Sequence, residues 1–153
     1  MNYYLALPPW VWAVAITLVC SAAAWTGGRS ERLAAATLFA GWLASLAVVS
    51  ARGWPLHVGL WTVDLILLAV LVGIALRSDR YWPIFVAGFH LLTVLTHVAR
   101  AVDRQAGAWA QATAGVMFSY LMLAALAFGV WGAWRERQLA NAGLRAAPDP
   151  TRR

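Results

Sequence analysis

A chain of 153 residues that is 62% hydrophobic and only 12% charged departs from a soluble domain, which averages roughly 45–50% apolar and about 25% charged residues. That composition excludes a disordered chain and an ordinary water-soluble domain, and a single cysteine excludes a disulfide scaffold. The net charge of +6 comes with no lysine at all; the twelve cations are arginines set in short gaps between apolar runs. They are not gathered on one polar face, which speaks against nucleic acid and for topology signals and headgroup contacts.

Five apolar runs approach the roughly 20 residues that a helix needs to cross a bilayer. The first covers about residues 7–25, opened by Pro8 and Pro9, because proline is tolerated in a first helical turn. It lacks the positive flank of a signal peptide: no arginine precedes Trp10, and Arg29 and Arg32 follow the run. The reading is an uncleaved anchor with a translocated N-terminus. Cys20, inside this run, reads as a small buried hydrophobe. Gly27-Gly28 marks a turn. The second run covers about 33–50, the third 56–76, the fourth 82–99 and the fifth 115–134, with a start as early as Ala108. In hydrocarbon each must satisfy its own backbone, so each is predicted to be a helix. A basic tail, 135–153, is expected to continue the fifth helix briefly and then fray near Pro148-Asp149-Pro150.

The expected fold is therefore an all-α integral membrane protein, a five-helix transmembrane bundle. With the N-terminus out, nine arginines fall inside and three outside, so the positive-inside rule predicts N-out, C-in. A four-span alternative puts the arginine-rich tail and the neutral N-terminus on one side. The absence of lysine suits a GC-rich bacterial genome, and hence a bacterial inner membrane. Tryptophans fall near both expected boundaries, Trp10, Trp12, Trp54 and Trp109 at the outer and Trp25, Trp82, Trp131 and Trp134 at the inner, as interfacial belts require. Arg77, Asp79 and Arg80 ahead of Tyr81-Trp82 read as an interfacial anchor. Two stripes of small residues, Ala36, Ala40 and Ala44 with Gly41 and Ser45, and Ala125, Gly129 and Ala133 with Gly115 and Ser119, predict close helix seams.

Ionisable residues inside membrane spans are costly and mark function by default. Asp64 lies in the third run and His90 in the fourth, with His57 and His97 nearer the outer ends of the same two. A separation of seven puts both members of each pair on one helix face, roughly 10 Å apart. A short connection makes the two helices antiparallel neighbours. His57 then matches His97 in depth, and Asp64 matches His90. His90, Thr93, His97, Arg100 and Arg104 extend the stripe at alternating spacings of three and four. The expectation is a polar seam between the third and fourth helices, opening to the outer side.

Four readings of such a seam compete. Asp64 and His90 can pair by hydrogen bond and set helix register. His57 and His97 can be axial ligands of a b-type haem. A carboxylate beside imidazole can serve a proton or quinone site. A metal site using all four residues fails, because residues about 10 Å apart on one helix cannot share an ion. No nucleophile triad, phosphate loop or nucleotide fingerprint is present, and no soluble substrate is indicated. With so little mass outside the bilayer, the first expectation is a non-catalytic accessory or scaffold subunit of a larger membrane assembly. Its partners would be membrane lipids, other integral subunits or copies of itself. The alternative is a small redox or proton-handling protein.

Overall fold

In a computed structural model the chain is described over residues 9–50, 56–102 and 108–146, with side chains over 10–50, 58–99 and 113–142. Five helices account for these residues: α1 (Pro9–Thr26), α2 (Arg29–Ser50), α3 (Leu56–Arg77), α4 (Trp82–Val102) and α5 (Ala108–Ala146). No strand occurs among them. Each helix packs on its neighbour in sequence, and α1 closes the ring against α5. The α4–α5 seam is the most extensive, and α2 also touches α5.

Four helices are long and apolar enough to cross a membrane over Arg29–Ser50, Val58–Arg77, Trp82–Ala99 and Thr113–Ala142. The described apolar stretch of α1, Trp10–Thr26, is shorter. The outward faces carry large apolar side chains, among them Leu18, Leu65, Ile66, Phe85, Leu95 and Phe128. A water-soluble monomer rarely exposes apolar surface on that scale, and the bundle's surface matches hydrocarbon instead.

Helix starts and ends depart from the apolar runs where polar residues join a helix. α2 begins four residues before its apolar run, and its first turn holds Glu31, where a carboxylate meets the positive end of the helix dipole. α5 begins at Ala108 and continues through the basic segment to Ala146.

The core occupies the half of the bundle that contains the C-terminal half of α3. Ala23, Ala34, Ala35, Leu38, Leu71, Val86, Leu126 and Val130 meet there. Small residues set the closest approaches. A Cβ on Gly129 would lie 2.6 Å from the Trp82 ring, and one on Gly41 would lie 2.9 Å from the Leu67 methyls. The α5 stripe thus faces protein: Gly129 and Ala133 are buried and Ala125 is half-buried. The α2 stripe is corrected. Ala36 and Ala40 are exposed, and the packed face of α2 is Ala34, Ala35 and Leu38, continued by Gly41.

Candidate functional site

Asp64 sits in the middle of α3, facing α4. Its carboxylate Oδ2 lies 3.1 Å from His97 Nε2. Its backbone carbonyl lies 3.0 Å from His90 Nε2. A carbonyl oxygen only accepts, so His90 donates from Nε2 and carries its proton there.

The expected pairing of Asp64 with His90 by depth is therefore realised through the main chain, while the carboxylate reaches His97, seven residues further along α4. Helix geometry explains the exchange. Side chains lean towards their own helix's N-terminus, and in antiparallel helices those leans converge. Asp64 leans towards the start of α3, and His97 leans back down α4 to meet it. Main-chain carbonyls point the other way, towards the helix C-terminus. The Asp64 carbonyl is thus turned towards the level that His90 reaches by leaning back along α4.

The carboxylate and its imidazole partner are half-buried, with 19% and 26% of their side-chain surface exposed, whereas His90 is only 3% exposed. The Trp61 ring lies 6.2 Å from the His97 ring and covers one side of it. Thr93 donates to the Phe89 carbonyl at 3.2 Å and Thr96 to the Thr93 carbonyl at 2.7 Å. The threonines therefore satisfy themselves on α4 and do not bind Asp64 through these hydroxyl donations.

Asp64 and His90 also line a cavity of about 160 Å³ at the centre of the bundle, with Ser45, Thr93 and Ser119 as its other polar walls. All five helices contribute to it, α1 through Trp12 and Ile16. The polar seam expected between α3 and α4 alone is instead one wall of a partly open cavity that all five helices line. Its volume lies below the roughly 300–1,000 Å³ of sites for drug-sized ligands. It is large enough to hold water.

His57 lies in the first turn of α3, but its side chain is outside the described residues, as are those of Arg100 and Arg104. The His57–His97 axial pair therefore falls outside the description. His97 itself is engaged with Asp64 through Nε2. Among the described residues, no three of His, Cys, Asp and Glu converge as metal ligands would.

A second polar cluster, which the sequence reading missed, closes the opposite end of the core. Glu31 is 1% exposed. Its Oε1 accepts from Trp82 Nε1 at 3.1 Å and lies 3.8 Å from Arg80 Nε. Arg80 also forks onto Glu136, with Nη1 3.0 Å from Oε1, and this hydrogen bond raises its guanidinium pKa above the ordinary value. Arg137 donates to the Gly27 carbonyl at 3.1 Å, and Ser78 donates to Ser30 at 3.2 Å. Two expectations change here. Trp82 is a core side chain that holds α4 to α2, not a ring of an interfacial belt, and Arg80 joins the α3–α4 connection to α5 rather than standing free as a headgroup anchor. One signal was available, an acidic residue just after Gly27-Gly28, where a helix N-terminus attracts it.

Between the two clusters lies an apolar layer. Leu71, Val86 and Leu126 are buried in one apolar cluster about one turn beyond the cavity on α3, α4 and α5, and Leu38 joins them from the cavity wall on α2. The molecule thus has a mainly apolar cavity with a few polar walls in one half, an apolar layer, and a buried carboxylate clasp at the other end. No protein-family model, no curated protein and no solved structure matches the chain.

Proposed function

We propose that this chain is a five-span protein of a bacterial inner membrane, N-terminus out and C-terminus in, that handles protons at Asp64 and His97 as an accessory subunit of a larger membrane assembly. The observation that carries the proton reading is the carboxylate–imidazole contact at 3.1 Å beside a cavity with polar walls. An ionisable pair within a span exchanges protons with whatever water reaches it. Ser45, Thr93 and Ser119 donate to carbonyls of their own helices and keep lone pairs that can accept from waters in the cavity, and His90, whose Nε2 proton is committed to the Asp64 carbonyl, keeps Nδ1 as a further acceptor or donor.

The subunit reading rests on a different observation. The apolar layer of Leu38, Leu71, Val86 and Leu126 interrupts the polar path midway. Among the described residues, a proton taken up at Asp64 therefore has no continuous polar route through this bundle. The exposed fraction of Asp64 and His97 supports exchange with a neighbouring span instead. α1 belongs to the membrane bundle in this reading: its 18 residues extend about 27 Å at 1.5 Å per residue, close to the hydrocarbon thickness.

Infrared spectroscopy of the reconstituted protein tests the proton reading. The wild type is expected to gain a protonated-carboxyl band as pH falls, one that Asp64→Asn lacks and His97→Gln moves along the pH axis. An Asp64→Asn spectrum identical to wild type between acid and alkaline pH overturns it. Native purification from the source membrane tests the subunit reading. Co-purifying membrane proteins are expected, and a chain that runs alone counts against that reading while leaving the proton reading standing.

A further inference from the structure

The exposed face between α2 and α3 carries a feature that the Asp64 site does not use. An elongated groove of about 640 Å³ runs along these two helices, from a pair of arginines into apolar walls. Arg29 opens α2 and Arg77 closes α3, and since the helices are antiparallel neighbours both charges stand at one end. Below them the walls are Leu33, Val70 and Ile74, and the floor is Gly73. We propose that this groove binds one anionic phospholipid, its phosphate between Arg29 and Arg77 and one acyl chain along Leu33, Val70 and Ile74.

Three observations converge on that occupant. First, no acidic side chain pairs with Arg29 or Arg77 among the described residues, in contrast to Arg80, which contacts both Glu31 and Glu136. The two arginines form a positive mouth with no carboxylate partner among the described residues. Second, the Arg77 guanidinium is folded back over the groove. Its Nη1 lies 3.5 Å from where a Cβ on Gly73 would stand, and nothing else comes within 4 Å of that point. Absence of a side chain at Gly73 therefore lets the guanidinium lie down against α3 at the groove. Third, the walls are apolar and face outward, with Leu33 50% and Val70 43% exposed. A free phosphate would use the arginines and leave these walls without purpose. A phospholipid uses both, as basic pockets between membrane helices do. In the N-out arrangement the groove opens to the cytoplasmic leaflet. The inference depends on the chain being membrane-embedded and is independent of Asp64.

Native mass spectrometry of the full chain released from detergent provides the test, with dioleoylphosphatidylglycerol and dioleoylphosphatidylcholine at matched ratios as probes. The wild type is expected to retain phosphatidylglycerol in preference to phosphatidylcholine. Replacing each arginine by glutamine, R29Q and R77Q, should weaken phosphatidylglycerol binding roughly fivefold per arginine. Gly73→Leu keeps every charge and fills the floor; it should abolish retention of the lipid without changing the far-ultraviolet circular dichroism. Millimolar inorganic phosphate should not displace the lipid. Equal retention of the two lipids, wild-type retention by the double arginine variant or by Gly73→Leu, or displacement by phosphate alone would each overturn the proposal. Asp64→Asn should bind phosphatidylglycerol as the wild type does, which separates this result from the proton reading.

Discussion

Asp64 is read twice by α4, once at its carboxylate by His97 and once at its carbonyl by His90. The two contacts differ in kind. The first joins two ionisable side chains, a carboxylate and an imidazole. The second is a neutral hydrogen bond to a main-chain oxygen that also belongs to the α3 helix ladder, and it fixes register whatever the pH. Breaking it leaves no buried orphan, because the carbonyl keeps its helical partner. His90→Phe retains a ring of similar size, so it isolates the bond. Interhelical hydrogen bonds in membrane bundles average about 0.6 kcal/mol and reach about 1.7. The variant should lose stability in that range, measured as a lower unfolding midpoint in detergent titrations, while the carboxyl infrared band of Asp64 persists. A variant as stable as wild type would show that His90 does not hold the two helices in register. The residues of this site were legible in the sequence as four ionisable side chains on two facing stripes. The partner of each was not, because matching by depth along the helix axis ignores the lean of a side chain, which at this spacing moves the contact by a helical turn or more.

Helix seams obey the same arithmetic of small distances. α4 and α5 meet where the Trp82 ring lies over Gly129, and α2 meets α3 where Leu67 lies over Gly41. The two sites differ in what can yield. The Trp82 indole is pinned by its bond to Glu31, so it cannot swing aside without stranding a buried donor and a buried carboxylate. Leu67 offers methyl ends that can rotate. Gly88 is a third case, exposed and with nothing within 4 Å of its added Cβ. Alanine substitution should therefore rank the three. Gly129→Ala is expected to destabilise by about 1–3 kcal/mol, as overpacking does. Gly41→Ala should cost about 0.5–1.5 kcal/mol, the strain of a displaced rotamer. Gly88→Ala should be neutral, or stabilising by up to about 1 kcal/mol through helix propensity. Thermal unfolding of the three variants in one detergent checks the order, and a Gly129 variant no worse than the Gly88 variant would refute the wedge. The α5 seam could be foreseen from the spacing of Ala125, Gly129 and Ala133. The ring that fills it could not, because an interfacial tryptophan and a core tryptophan look alike in sequence. Only Glu31, 51 residues away, decides which Trp82 is.

At the scale of the molecule, apolar run length predicts five helices, and the short third connection predicts that α3 and α4 are neighbours; the ring closed by α1 on α5 is seen only in the fold. Run length places the ends less well, since α2 and α5 recruit polar residues that hydropathy counts as loop. The distribution of polar groups adds a direction that run length does not carry. Glu31, Arg80, Glu136 and Arg137 gather at one end of the core, bonded to one another or to the α1–α2 turn. The cavity with Asp64 occupies the other half. The charged end also carries Arg29, Arg32 and Arg77, and in the proposed N-out arrangement the positive-inside rule turns it to the cytoplasm. An odd number of crossings then puts the two termini on opposite sides, and α1 is the helix on which this parity depends. If α1 lies along the surface instead of crossing, the N-terminus joins the C-terminus on the inner side, while the remaining four spans keep their places. Epitope tags at each end distinguish the two arrangements in intact spheroplasts. The N-terminal tag should be cleaved by added protease and the C-terminal tag should survive until the membrane is permeabilised. Protection of both tags would remove α1 from the spans and leave the Asp64 half of the bundle walled by four crossing helices rather than five.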